Sequence, residues 1–219
     1  MARPFPLVLD QLREPDRVAF AIVPIDAFSG AIVAHGVKVT IVGQPALRPI
    51  RNLSGMHVFL NIPDADRAVK VEAGAAGYFD SEVPVAPPAD PDDDAARRHV
   101  VALLPRPGYP FAENTTLVRG VLVKDGQAVA GGRITAQPAG AVGLFEAQSD
   151  AGGAFVMPLR LPDPDDSAST PVNVSFKFPP ESREFTVPVR PARTQSFKTP
   201  IDLDETVTPE LVDPRPRSD

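Results

Sequence analysis

The residues that could do chemistry are few. His35, His57 and His99 are the three histidines, and an imidazole is the side chain best suited to proton transfer near neutral pH or to binding a transition metal. No His-x-x-Glu or His-Glu-x-x-His spacing occurs, which excludes the helix-borne zinc site of metallopeptidases. His57 falls on an alternating stretch, 56–62, opposite the apolar set Met56, Val58, Leu60 and Ile62, so a partly exposed strand histidine is expected there. His35 precedes Gly36 at a turn, and His99 opens a strand. Cysteine is absent, which rules out disulfides, thiol nucleophiles and thiolate metal sites. No serine stands in a Gly-x-Ser-x-Gly elbow, and no glycine-rich phosphate loop follows a strand and opens a helix. No catalytic or cofactor-binding residue is therefore assigned, and the chain is expected not to be an enzyme.

Carboxylates cluster in loops. Asp64 and Asp66 follow one strand, and Asp163, Asp165 and Asp166 follow another; Asp90, Asp92, Asp93 and Asp94 form a third run. A hard cation such as Ca²⁺ takes 6–8 oxygen ligands, often from such loops. Asp64, Asp66, Asp163 and Asp165 are the metal candidates, although Pro91 and Pro164 interrupt the runs and no Asp-x-Asp-x-Asp-Gly loop exists. Solvated turns that favour aspartate explain the same residues. Three apolar residues are candidates for contact with a partner: Phe28, at a turn tip beside Ser29-Gly30, and Phe5 and Leu7 in the first residues.

The balance of 22 Lys plus Arg against 28 Asp plus Glu gives a net charge of −6, which argues against sequence-independent binding of nucleic acid. No apolar run approaches the ~18 residues of a membrane span. The start of the chain, interrupted by Pro4 and Pro6 and ended by Asp10, does not read as a secretory leader. A cytoplasmic protein, or part of a particle assembled in the cytoplasm, is expected.

Those side chains must be positioned by strands. With 27 prolines, long helices and central strands are restricted. The chain also repeats itself. Met56, Val58, Leu60 and Ile62 match Phe155, Met157, Leu159 and Leu161 at an offset of 99, as do Val18, Ile22 and Asp26 against Leu117, Val121 and Asp125. Val69 and Val71 match Val172 and Val174; Val83-Pro84-Val85 matches Val187-Pro188-Val189. Strands are predicted near 17–25, 36–43, 55–62, 67–74, 77–86 and 97–104, then near 115–124, 131–138, 142–149, 153–161, 171–178, 184–190 and 196–203. Asp125-Gly126 is a hairpin turn signal. Pro84 and Pro188 place their strands at sheet edges, because proline cannot donate to a ladder. The pattern predicts an all-β chain of two tandem antiparallel β-sandwich domains. Residues 1–16 form an extended arm, 17–106 the first domain, 107–114 a Pro-rich connector, 115–204 the second domain and 205–219 a flexible tail. Tyr109 and Phe111 of the connector are expected to pack on the domains.

The second unit carries a specific resemblance. Val118-Arg-Gly-Val-Leu-Val-Lys-Asp-Gly-Gln-Ala-Val-Ala-Gly-Gly-Arg-Ile-Thr135, followed by Ser149-Asp-Ala-Gly-Gly-Ala-Phe155, resembles the carboxypeptidase regulatory-like family. The first unit is a weaker relative, through Asp26-Ala-Phe-Ser-Gly30 and Asn52-Leu-Ser-Gly55. The resemblance implies transthyretin-like sandwiches that serve as accessory modules without a peptidase site. Ring-cleaving dioxygenases of a related fold need two tyrosines and a His-x-His pair on iron; Tyr78 and Tyr109 are present and the pair is not. Tandem copies on a short connector also bear a looser likeness to accessory proteins of phage-tail-like contractile particles. The expectation is a non-catalytic structural or adaptor protein that docks on a larger protein assembly. The alternative is an accessory module that binds carbohydrate or calcium.

Overall fold

The computed structural model describes residues 17–90, 93–161 and 169–213. The arm with Phe5 and Leu7, the loop with Asp163, Asp165 and Asp166, Asp92, and residues 214–219 lie outside the described residues.

In the first half, β1 (Val18–Asp26), β2 (Lys38–Ile41), β3 (Ile50–Arg51), β4 (His57–Leu60), β5 (Arg67–Glu72), β6 (Ser81–Val85) and β7 (Arg98–Leu103) form two sheets, ordered β3-β4-β1-β7 and β2-β5-β6. Phe20, Ile22, Phe59, Val69, Val71 and Leu103 fill the core between them. The second half holds β8 (Thr116–Lys124), β9 (Gln127–Ala128), β10 (Arg133–Pro138), β11 (Phe145–Gln148), β12 (Ala154–Leu159), β13 (Thr170–Phe178), β14 (Glu181–Val189), β15 (Thr194–Phe197), β16 (Ile201–Asp202) and β17 (Leu211–Val212). Its sheets are ordered β11-β10-β13-β14 and β12-β8-β15-β17, with β9 and β16 also paired to β8. Leu122, Ile134, Phe155, Phe176, Val189 and Phe197 lie in a separate core. No α-helix occurs among the described residues; a 3-10 turn at Gly74–Ala76 is the helical element there. The chain is all-β and sandwich-like.

The strand plan recurs between the halves. β1 and β8 are each nine residues long, and each is flanked by one antiparallel and one parallel neighbour, β4 and β7 or β12 and β15. The turns before β4 and β12 share a hydrogen-bond pattern. Asn52 Oδ1 accepts from Met56 N, and Asp150 Oδ1 accepts from Ala154 N, each at 2.9 Å. Asn52 N donates to Met56 O, and Asp150 N to Ala154 O. This makes Ser149-Asp150 a turn-builder, with the Ser149 hydroxyl buried between Val129 O and Gly132 N.

That match places Asn52 on Asp150, so the offset at these strands is 98, where the sequence alternation suggested 99. One residue of slip exchanges the two faces of a strand. The expectation for His57 is accordingly overturned: His57 is 5% exposed and shares the core side of β4 with Phe59, while Val58 and Leu60 are half-buried on the other side. His57 occupies the place of Phe155, and Ile22 that of Gly120. A Cβ on Gly120 would lie 2.7 Å from the Phe155 ring, so small-over-large in one half becomes large-over-medium in the other.

The proline signals are found where they point. Pro84 and Pro188 lie on β6 and β14, each the terminal strand of its sheet. Asp125 and Gly126 both adopt positive φ, 50° and 71°, in the two-residue turn joining β8 to β9. The tail read as free after 204 departs from expectation. Leu211 and Val212 pair with Phe197 and Ser196, and Lys198 pairs with Glu210 at 2.9 Å.

Candidate functional site at the junction of the halves

The most concentrated buried polar group is at the end of β1. Inward-facing residues of β1 fall at Phe20 and Ile22, and the same phase brings Asp26 inside, where it is 4% exposed. Its carboxylate accepts four hydrogen bonds. Phe28 N at 2.7 Å and Ser29 N at 3.0 Å donate to Oδ1; the hydroxyls of Tyr78 at 2.9 Å and Tyr109 at 3.0 Å donate to Oδ2. The two tyrosine oxygens are 3.1 Å apart, and their rings pack with centroids 5.0 Å apart. Each hydroxyl has one proton; that of Tyr109 is directed to the carboxylate, and that of Tyr78 is within reach of both Asp26 Oδ2 and the Tyr109 oxygen.

Electrostatics follow from this geometry. Burial alone would raise the Asp26 pKa, but the amides of Ser29 and Phe28 and the two phenols together outweigh it, so the carboxyl is held below its ordinary value. Tyr78 moves the other way. Burial, then its bonds to Tyr109 and Asp26, raise its phenol far above the ordinary tyrosine range. A carboxylate whose lone pairs all receive donors is a poor proton acceptor for a substrate. The arrangement is suited to holding Tyr109, and with it the connector, against the first half.

The junction extends outward. Phe111 packs edge-on against Tyr109 and Phe28, with centroids 4.8 and 6.2 Å apart. Arg160, just past β12, lies 5.1 Å above the Phe28 ring and donates to Phe28 O. Arg119 of β8 donates to Pro107 O at 3.0 Å. Phe28, read from the sequence as a candidate partner contact at a turn tip, is therefore a half-buried bridge between the halves. Beside it opens a cleft of about 720 Å³, lined from both halves by residues that include Phe28, Phe79, Arg133, Leu144, Phe145 and Arg160.

The other candidates are dispersed. Asp64 is tied to Arg17 at 3.0 Å and lies 3.9 Å from Arg97, and Asp66 is exposed. Asp93 caps a turn by accepting from Ala95 N and Ala96 N. Among the described residues, no group of three or more His, Asp or Glu side chains is placed to hold a metal ion. His35 is exposed and lies 3.2 Å from Arg51. His57 and His99 both flank Ile22, on β4 and β7, and their Nε2 atoms have no hydrogen-bond partner. Burial lowers the pKa of both; Arg51 adds to the effect at His57.

Sequence reasoning matched Asp26 to Asp125 and gave it no role, so the Asp26–Tyr78–Tyr109 cluster was missed. The available signal was the strand phase: Asp26 continues the even-numbered series Phe20 and Ile22.

No family model and no curated protein matches this chain. A solved structure with similarity to it is that of a "putative cell adhesion protein" from Bacteroides ovatus. The match has 8% identity and a TM-score of 0.29, and covers 91% of this chain and 98% of that one. No helix among the described residues is long and apolar enough to cross a membrane.

Proposed function

We propose that the chain is a non-catalytic adaptor: two sandwich domains of common plan, held in a set relation by the connector, which dock on a larger protein assembly. The assembly best suited to the reading is a tail-like contractile particle built in the cytoplasm. The observation that carries the reading is the bond from Tyr109 to Asp26. A buried carboxylate with two phenols is the kind of group an enzyme would use, and here it already accepts from two amides and Tyr78 of the first half and from Tyr109 of the connector. Sequence resemblance to accessory sandwiches and the recurring strand plan support the same view. Asp64, engaged by Arg17 and Arg97, gives no support to calcium binding.

The test is purification of the tagged chain from its source cells, followed by mass spectrometry and electron microscopy of what co-elutes. A particle of several proteins with fixed stoichiometry is expected. A lone monomer, or a chain whose melting temperature rises with Ca²⁺ or a glycan and which has no stoichiometric partner, overturns the proposal.

A further inference from the structure

We propose that the cleft between the halves is a peptide-docking groove that takes an extended partner segment bearing an acidic residue beside apolar ones. The inference deepens the adaptor reading and rests on it, since it names the surface through which docking would occur.

Three features converge. The first is backbone. β11 and β12 are terminal strands of the two sheets of the second half, and β6 is terminal in the first; Phe145, Pro158 and Ser81 bring all three to the cleft. A terminal strand presents unpaired N–H and C=O groups, and an added strand is the occupant that satisfies them. A compact small molecule would leave that row unpaired.

The second is apolar surface. Val142 and Leu144, on the loop between β10 and β11, are exposed at the lip, and Phe28, Phe79 and Phe145 lie within. Side chains that alternate along an extended segment would meet this surface on one face.

The third is charge. Among the described residues, Arg133 has no hydrogen-bond or acidic partner, and Arg160, whose guanidinium lies over Phe28 and donates to Phe28 O, has no acidic partner. Two acids also line the cleft. Asp80, on the first half, accepts from Ala73 N at 3.0 Å and keeps its charge, and Glu146 lies on β11. The cleft thus has a cationic side at Arg133 and Arg160, and a carboxylate on the partner is the group that pairs with it bidentately.

The experiment selects peptides from a random 12-residue display library on the intact protein. The winners, made synthetically, are measured by fluorescence polarisation. Peptides with Asp or Glu beside alternating apolar residues are expected. Their affinity should fall at least about tenfold in Arg133→Ala, the loss of one charge-assisted contact. Leu144→Asp should weaken them similarly, and Glu146→Gln should tighten them. Leu144 is exposed, so its substitution leaves the core intact. Leu53→Asp, at an exposed apolar site outside the cleft lining, is the control and should change nothing. Enrichment of basic peptides, no enrichment over the Leu144→Asp protein, or equal loss in Leu144→Asp and Leu53→Asp would overturn the proposal. If the cleft takes no peptide while the tagged chain still purifies in a stoichiometric particle, the groove assignment fails and the adaptor reading survives. A peptide-binding protein without any stoichiometric particle gives the reverse.

Discussion

Tyr109 donates its hydroxyl to Asp26 at 3.0 Å, joining the connector to the end of a strand 83 residues earlier in the chain. Tyr78 shares the same carboxylate oxygen. Removing one phenol and removing the carboxylate are therefore unequal. Tyr109→Phe loses one bond to a charged acceptor, about 1.5–3 kcal/mol. Asp26→Ala leaves two amides and two hydroxyls without their acceptor and should cost more, about 3–5 kcal/mol. Urea unfolding followed by circular dichroism checks the order. Equal effects for the two substitutions would mean that the carboxylate does not organise the cluster.

The same cluster contains both tyrosines of a chain without tryptophan, so tyrosine absorbance and emission report on it alone. With its pKa raised by burial and by its bonds to Tyr109 and Asp26, Tyr78 stays protonated while the fold persists. Alkaline titration followed at the phenolate band should show Tyr78 ionising only together with loss of far-ultraviolet dichroism. In Tyr109→Phe, where Tyr78 is the sole phenol, a phenolate step that precedes unfolding would contradict this assignment.

His57 and His99 give the first half a pH dependence of definite sign. Both pKa values lie below 6.5 in the folded chain, lowered by burial and, at His57, by Arg51. Below 6.5 the unfolded chain binds more protons than the folded one, so stability falls as pH drops through that value and is flat above it. Asp26 acts lower on the scale: its stabilisation is present above 3.8 and is lost as pH falls through its depressed folded value. Unfolding midpoints measured from pH 7.5 to 5 should decline, and His57→Leu should flatten the slope. A slope unchanged by that substitution would remove His57 from the account.

The strands, their edges and their turns were legible because each has a local chemical cause. Pro84 and Pro188 mark edges through a missing donor, and Asp125-Gly126 marks a turn through positive φ. Register was not legible. Phe155, Val156, Met157, Pro158 and Leu159 are all buried, so β12 has apolar residues in both phases and gives no alternation to align against β4. The alternation of 56–62 therefore fits an offset of 99, and that offset puts His57 on the wrong face. The two-residue strands β3, β9, β16 and β17 are shorter than any window in which alternation can be recognised. The Asp26 cluster escaped for a different reason. Its members are far apart in sequence, and only the return of the connector onto β1 brings them together.

Gly120 exists because two aromatic rings occupy the space of its side chain. A Cβ there would meet the Phe155 ring at 2.7 and 2.8 Å and Phe197 at 3.0 Å. Neither ring can withdraw freely. Phe155 packs on Phe176 at 5.6 Å between centroids, and Phe197 packs on both Phe176 and Phe185. Gly120→Ala should therefore destabilise the second half by about 1–3 kcal/mol through overpacking, although alanine suits a strand better than glycine. The double substitution Gly120→Ala with Phe155→Leu should recover part of that loss, since the shorter side chain vacates the site of the clash. Thermal unfolding of the single and double variants decides the matter: additive losses would show that the ring is not what requires the glycine.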